Sequence, residues 1–193
     1  MKVIRLNGSA FEQSCKDLGK QLQGYSIDLI IGIESGGAVV AKSMIKQNGL
    51  ENIAFDSIRI RRKSSSTIKE RGIVKKTILY LPEFLIRLLR KMEMYTSEVK
   101  AKYKTPEREV NICLGEHSKD LARNGAKILI VDDALDTGRT MQIAKEYFIE
   151  LNPSNEVLTA VLTVTHKNPL VKSDFSLYNR TILQFPWALD GEA

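Results

Sequence analysis

Two adjacent carboxylates, Asp132 and Asp133, close the apolar run Ile128-Leu129-Ile130-Val131, and Ala134-Leu135-Asp136-Thr137-Gly138-Arg139-Thr140 follows at once. A carboxylate pair at one point suits a ligand that presents several hydroxyls, or a hard divalent cation that prefers oxygen. The residues just beyond it suit an anion. Thr137 and Thr140 each offer a hydroxyl, Arg139 offers charge, and Gly138 lets a ligand approach the main chain. Met141, Ala144, Tyr147, Phe148 and Leu151 then recur at helical spacing, so a helix opens under this segment. Its unpaired N–H groups and the positive end of its dipole favour phosphate. A phosphorylated sugar is the simplest ligand that uses both halves. The plainer alternative is an ordinary strand-to-helix turn with Asp136 as the helix cap.

These residues need a scaffold that points them the same way. The run before Asp132 is β-branched and wholly apolar, the pattern of a parallel strand buried on both faces. A second segment of the same kind lies earlier. Ile27 to Ile33 reads as a buried strand, Glu34-Ser35-Gly36-Gly37 breaks it, and Ala38, Ala41, Met44 and Ile45 form the stripe of a helix ending at Asn48-Gly49. In an open parallel sheet, ligands bind beyond the carboxyl ends of the strands at the switch point, so two such turns side by side could hold opposite ends of one ligand. A Gly-Gly turn taken alone is as often structural as functional.

The remaining elements complete an α/β pattern. Met1 to Leu6 reads as an opening strand. Ser9 to Glu12 has capping-box spacing ahead of a helix with Phe11, Cys15, Leu18 and Leu22 on one face, closed by Gly24. Ile53 to Ile60 reads as a third strand and Val110 to Leu114 as a short one. A helix is expected over Glu116 to Arg123 with a turn at Asn124-Gly125, then a strand over Val157 to Val164. From Leu81-Pro82-Glu83, apolar residues Leu85, Leu88, Leu89, Met92, Tyr95 and Val99 predict an amphipathic helical insertion over 73–106, suited to packing or a subunit contact. The expected fold is a mostly parallel twisted sheet flanked by helices, in a single domain spanning 1–193.

Val131-Asp132-Asp133-Ala134-Leu135-Asp136-Thr137-Gly138-Arg139-Thr140 resembles the phosphoribosyl pyrophosphate (PRPP) motif of type I phosphoribosyltransferases, Ala134 being smaller than usual there. The resemblance implies that Asp132 and Asp133 bind the ribose hydroxyls and anchor Mg2+. It gives the 5′-phosphate to Thr137, Gly138, Arg139 and Thr140, and proton transfer at the base to Asp136. Glu34, Ser35, Gly36 and Gly37 resemble the pyrophosphate loop of that family, where a cis peptide often joins the two residues before the paired glycines. Relatives often carry Arg or Lys where this chain has Ser35, so the pyrophosphate charge must be met elsewhere. The hydroxyl-rich, basic stretch after the third strand, Arg59 to Thr67, is a candidate lid that could supply it, or a solvated loop.

The tail, 166–193, is similar to the hood of bacterial and archaeal 6-oxopurine phosphoribosyltransferases through Phe185-Pro186-Trp187. It places Lys167 where relatives contact the 6-oxo group, with Ile182 and Leu183 also at the base. Thr181 stands where relatives stack an aromatic on the base, which keeps other bases open. Trp187 itself reads as a core aromatic. The implied partners are PRPP and a nucleobase, and a homodimer is expected.

Composition agrees with this reading. The chain has 193 residues, 43% of them hydrophobic and 27% charged, enough for one buried core. No signal pattern or long uncharged apolar run is present, so a cytoplasmic protein without a membrane partner is expected. Cys15 and Cys113 have no metal-like spacing and read as buried thiols. His117 and His166, the two histidines, accompany no nucleophile pattern. A net charge of +6 suits phosphate-rich substrates as well as nucleic acid. A PRPP-sensing RNA- or DNA-binding regulator is therefore the alternative, resting on the basic residues Arg59 to Lys76, although no aromatic stacking platform is interleaved with them.

Overall fold

The structure, a computed structural model, describes residues 2–62, 108–185 and 187. The chain divides into two units, residues 1–60 with 110–193 and residues 61–109. The first is described below. The candidate lid beyond Arg62, the insertion at 73–106 and most of the basic run lie outside the described residues.

The first unit alternates strand and helix as its hydrophobic pattern predicts. In order they are β1 (Lys2–Arg5), α1 (Gly8–Lys20), β2 (Leu29–Ile33), α2 (Gly36–Asn48), β3 (Ala54–Arg62) and β4 (Arg108–Asn111). Then follow α3 (Glu116–Arg123), β5 (Lys127–Leu135), α4 (Arg139–Leu151), β6 (Glu156–Val164), β7 (Phe175–Asn179) and β8 (Thr181–Gln184). Six strands make one sheet in the order β4-β3-β2-β5-β6-β7. The pairings of β2 with β3 and β5, of β5 with β6, and of β6 with β7 are all parallel. Consecutive crossovers run one way from β2 to β3 and the other way from β5 to β6 to β7. The order therefore reverses between β2 and β5, the expected place for a ligand.

Helices cover both faces of the sheet. Phe11, Cys15 and Leu18 of α1 and Val40, Ala41 and Met44 of α2 pack with Ile30, Leu129 and Val131 on one face. Ala122 of α3 and Met141, Ala144 and Phe148 of α4 pack with Leu29, Ile31, Ile128 and Ile130 on the other. Alternate residues of β2 and β5 thus enter opposite cores, which is why both strands are apolar throughout. Each fully buried Leu, Ile or Phe contributes about 1.5–3 kcal/mol of transfer free energy.

A second sheet of two parallel strands pairs β1 with β8, Lys2 opposite Thr181 through Arg5 opposite Gln184. The amino-terminal strand therefore builds the tail region. The sequence predicted the opening strand, but neither β8 nor its pairing with β1.

Several local expectations are corrected. Helix α1 begins at Gly8 with Asn7 as its N-cap and no side-chain cap, so Ser9 lies inside the helix and the capping box does not form. Gly138, at φ 78°, is the N-cap of α4 in place of Asp136. Cys15 is buried but Cys113 is exposed. Burial pushes the Cys15 thiol up to about 11, so it stays protonated at neutral pH. Among the described residues, no helix is long and apolar enough to cross a membrane.

Candidate active site

β5 does not stop at the carboxylate pair. It continues to Leu135, because β6 is long enough to keep pairing, with Asp132 opposite Val161, Ala134 opposite Thr163 and Leu135 opposite Val164. On its other side the pairing with β2 reaches only Gly32 opposite Val131. The carboxylates therefore stand in a notch, supported by β6 and facing the turn that leaves β2. This is how a central strand can deliver charge to an open edge while its main chain stays paired.

The turn fills that notch closely. A Cβ added to Gly36 would strike the Asp133 carboxylate, and one added to Gly37 would lie 2.5 Å from the Val131 carbonyl oxygen and 2.8 Å from Asp132 Cα. Gly37 is needed because main chain meets main chain there, and Gly36 because the Asp133 side chain takes the space a Cβ would fill. The two motifs, widely separated in the chain, form one site. The Glu34–Ser35 peptide is cis, at the position the family resemblance indicated. Ser35 and the paired glycines then open α2.

Glu34 belongs to the wall of this turn. Its Oε1 accepts from Ser57 Oγ at 3.1 Å and its Oε2 from Arg59 Nε at 2.6 Å, with Arg59 Nη2 at 2.5 Å from the same oxygen. Its amide also donates to the Ile58 carbonyl at 2.8 Å. Sequence reasoning placed Arg59 in the candidate lid. It is instead committed to Glu34 by a forked ion pair, a geometry suited to holding a carboxylate in place.

On the far side, Gly138 and the residues after it open α4. The positive φ of Gly138 requires glycine, and a Cβ there would lie 3.1 Å from the Val171 amide and 3.2 Å from the Leu170 amide. The Leu170 amide donates to the Thr137 carbonyl at 2.9 Å, so the 165–171 loop lies along the motif. Asp136 is exposed and accepts from Thr165 Oγ1 at 3.1 Å. Thr165 also anchors its own amide to the Leu135 carbonyl at 2.9 Å. Thr165 was missed at the sequence level, where the only available signal was a hydroxyl one residue beyond β6. Arg139 bonds Gln142 Oε1 through Nη1 at 3.3 Å, while its buried Nε has no hydrogen-bond partner among the described residues.

The electrostatics of the carboxylate pair are uneven. Burial raises the Asp133 carboxyl above the ordinary carboxylate range, although hydrogen bonds with Asp132, with the amides of Ala134 and Asp133, and with the Trp187 indole oppose that shift. Asp132 Oδ1 accepts from the Asp133 amide at 2.9 Å. The expectation of Trp187 as a core aromatic is corrected. It is 38% exposed, because its ring lies over Phe185 and edge-on to Phe11 rather than inside the core.

The base-side residues separate into two groups. Lys167 is exposed and, with His166 and Arg180, lines an open cleft of about 570 Å³ beside β7. Ile182 is half-buried. Leu183 is buried in the core against the α1 face, so its side chain serves packing and is not open to a ligand. Thr181 is buried too, and its carbonyl accepts from Thr163 Oγ1 at 2.7 Å. Among the described residues, no group of three His, Cys, Asp or Glu side chains gathers to hold a metal.

A doubly wound sheet whose switch point brings two carboxylates against the turn that opens α2, with α4 opening a few residues beyond them, defines an α/β protein of the parallel-sheet class. The sequence profile of the phosphoribosyl transferase domain matches residues 6–191. The chain belongs to that family and is a phosphoribosyltransferase.

Solved structures share the fold. Purine phosphoribosyltransferase from Pyrococcus horikoshii Ot3 superposes with a TM-score of 0.65 at 20% identity, over 97% of this chain and 95% of that one. A hypothetical protein from Neisseria gonorrhoeae with bound ppGpp gives 0.60 at 17% identity, over 98% and 92%. The xanthine-guanine-hypoxanthine phosphoribosyltransferase of Helicobacter pylori gives 0.59 at 14% identity, over 97% and 93%. No match is found among curated proteins.

Proposed function

We propose that this phosphoribosyltransferase moves the 5-phosphoribosyl group from PRPP to a ring nitrogen of a purine-like base, releasing pyrophosphate, in nucleotide salvage in the cytoplasm. One observation carries the reading. The Asp132–Asp133 pair is packed against Gly36 and Gly37, which supports reading the pair as ribose ligands and the turn as the pyrophosphate site beside them. The purine class is supported by the neighbours from Pyrococcus horikoshii and Helicobacter pylori, whose names give purine bases. Lys167, which lines the cleft beside β7, is the donor this reading assigns to an oxo group on the base, with Ile182 as a further base-side residue.

Transfer of a ribosyl group passes through a state with positive charge on the sugar and growing negative charge on pyrophosphate. Preorganised groups aimed at those charges carry the catalysis. In this reading Asp132 and Asp133 orient the ribose hydroxyls and balance the positive ring. The main-chain groups from Glu34 to Gly37 receive pyrophosphate, helped by the N-terminus of α2. Thr137, Gly138, Arg139 and Thr140 hold the 5′-phosphate, which would give the buried Arg139 Nε its missing acceptor. Asp136, exposed and steadied by Thr165, takes the proton from the base nitrogen.

A pair of carboxylates suits Mg2+, which keeps several waters and takes its remaining ligands from substrate oxygens. Bound there, the ion would neutralise the leaving pyrophosphate. Calorimetry with PRPP and Mg2+ tests the assignment. The wild type should bind, and the double variant Asp132→Asn with Asp133→Asn should lose at least about 100-fold in affinity, each charge-assisted hydrogen bond being worth about 1.5–3 kcal/mol. Equal binding by both proteins would remove the reading. A panel of bases assayed for pyrophosphate release then identifies the acceptor.

A further inference from the structure

Helix α4 opens with a cation. Arg139 is its first residue, Gly138 is its N-cap, and the first turn carries no acid. The positive end of a helix dipole opposes such a charge, which is why acids rather than bases are favoured there. Arg139 is also half-buried, and its Nε, closed off from solvent, has no hydrogen-bond partner among the described residues. A buried N–H without an acceptor is costly. Both features cost stability, and one anion against the first turn would relieve both.

The guanidinium is tied along the helix by two residues outside the motif. Arg139 Nη1 donates to Gln142 Oε1 at 3.3 Å, and Gln142 Nε2 donates to Glu146 Oε1 at 2.8 Å. These are i, i+3 and i, i+4 neighbours, which share one face of a helix. Gln142 is fixed twice, since its amide also donates to the Gly138 carbonyl at 2.9 Å. A side-chain amide suits the position because it accepts from Arg139 with one atom and donates to Glu146 with the other. A carboxylate at 142 would compete with an incoming phosphate. A neutral acceptor directs the guanidinium and leaves its charge for the ligand.

We propose that Gln142 is a positioning residue for the sugar phosphate: backed by Glu146, it holds one arm of the Arg139 guanidinium so that Nε and the positive charge serve the 5′-phosphate at the first turn of α4. This rests on the reading of Thr137 to Thr140 as the 5′-phosphate cradle. The grip on the phosphate thus extends from the motif to the second turn of the helix behind it.

Ribose 5-phosphate and pyrophosphate probe the two ends of PRPP separately, and calorimetry with Mg2+ can follow each. Gln142→Leu keeps the bulk of the side chain and removes its acceptor. It should raise the Kd for ribose 5-phosphate about three- to tenfold, the range of one hydrogen bond, and leave the Kd for pyrophosphate unchanged. An unchanged Kd for ribose 5-phosphate, or an equal rise for both ligands, would overturn the proposal. Glu146 is exposed, so its variants decide the matter even if Gln142→Leu does not fold. Glu146→Leu should weaken ribose 5-phosphate binding, whereas Glu146→Gln, which loses the same charge but keeps an acceptor for Gln142 Nε2, should bind like wild type. Equal affinities in those two variants would overturn the proposal. The Arg139 Nε–H signal in a nitrogen–proton NMR spectrum, identified by its loss in Arg139→Lys, gives a readout that needs no ligand. It should move in Gln142→Leu, and a signal that stays in place would overturn the positioning role alone. If wild type binds neither PRPP nor ribose 5-phosphate, the functional reading itself falls.

Discussion

Asp133 shows how a single residue serves the site at the expense of the fold. Burial raises its carboxyl, so between the ordinary aspartate value and its own raised value the folded chain binds more protons than the unfolded one. Stability therefore falls as pH rises through that window, and the penalty is complete above the raised value. Asp133→Asn removes it. Thermal melts should show a higher Tm for the variant at pH 7, with the gap closing as pH drops towards about 3.9, the unfolded aspartate value. A variant Tm equal to or below wild type throughout would mean that the hydrogen bonds around Asp133 outweigh its burial. The gain in stability should accompany loss of PRPP binding, the usual opposition between a preorganised site and a relaxed one. Glu34 is the contrasting residue. Its carboxylate is matched by Arg59 and Ser57, so it fixes the turn and does not wait for a ligand.

Elements depend on a few buried polar ties as much as on apolar stripes. Asn155 follows α4 and is buried. Its Oδ1 accepts from the Ala126 amide at 2.8 Å, and its Nδ2 donates to the carbonyls of Ala122 at 2.9 Å and Phe148 at 2.7 Å. One side chain thus finishes α3, aligns the start of β5 and receives the end of α4. Asn155→Ala removes the side-chain partner of the Ala126 amide and of the Ala122 carbonyl, and one of the two partners of the Phe148 carbonyl, which keeps the Asn152 amide; it should cost about 3 kcal/mol. In a chain of this size that is a fall in Tm of roughly 6–12 °C by calorimetry. Because Asn155 lies below the sheet edge that carries the site, PRPP affinity of the folded variant should hold. A melt within about 2 °C of wild type would show that water replaces the lost partners.

At the scale of the whole molecule, charge and topology act together. The chain carries +6 overall, and the candidate cleft is framed by two helix N-termini after β2 and β5. A polyphosphorylated sugar should be drawn in by this field, and salt should weaken it, since the Debye length shrinks from about 10 Å at 0.1 M to about 3 Å at 1 M. The Kd for PRPP with saturating Mg2+ should rise several-fold between 0.05 M and 0.5 M salt. Affinity independent of salt would assign binding to short-range contacts alone.

Much of this architecture was legible in the residues. The periods of apolar positions located most described elements to within a few residues, and α3 at its full extent, because a helix or strand must present its own repeat to a core. The acidic pair with its hydroxyl and glycine neighbours marked the candidate site, since those side-chain chemistries adjoin along the chain. What only the tertiary structure decided were meetings between distant segments. Examples are Gly36 and Gly37 against the carboxylates, Arg59 on Glu34, Thr165 on Asp136, β1 beside β8, and Trp187 against Phe11. Local periodicity says which face of an element is buried but not which other element covers it. That choice is made by strand order and by how far each strand runs past its neighbour.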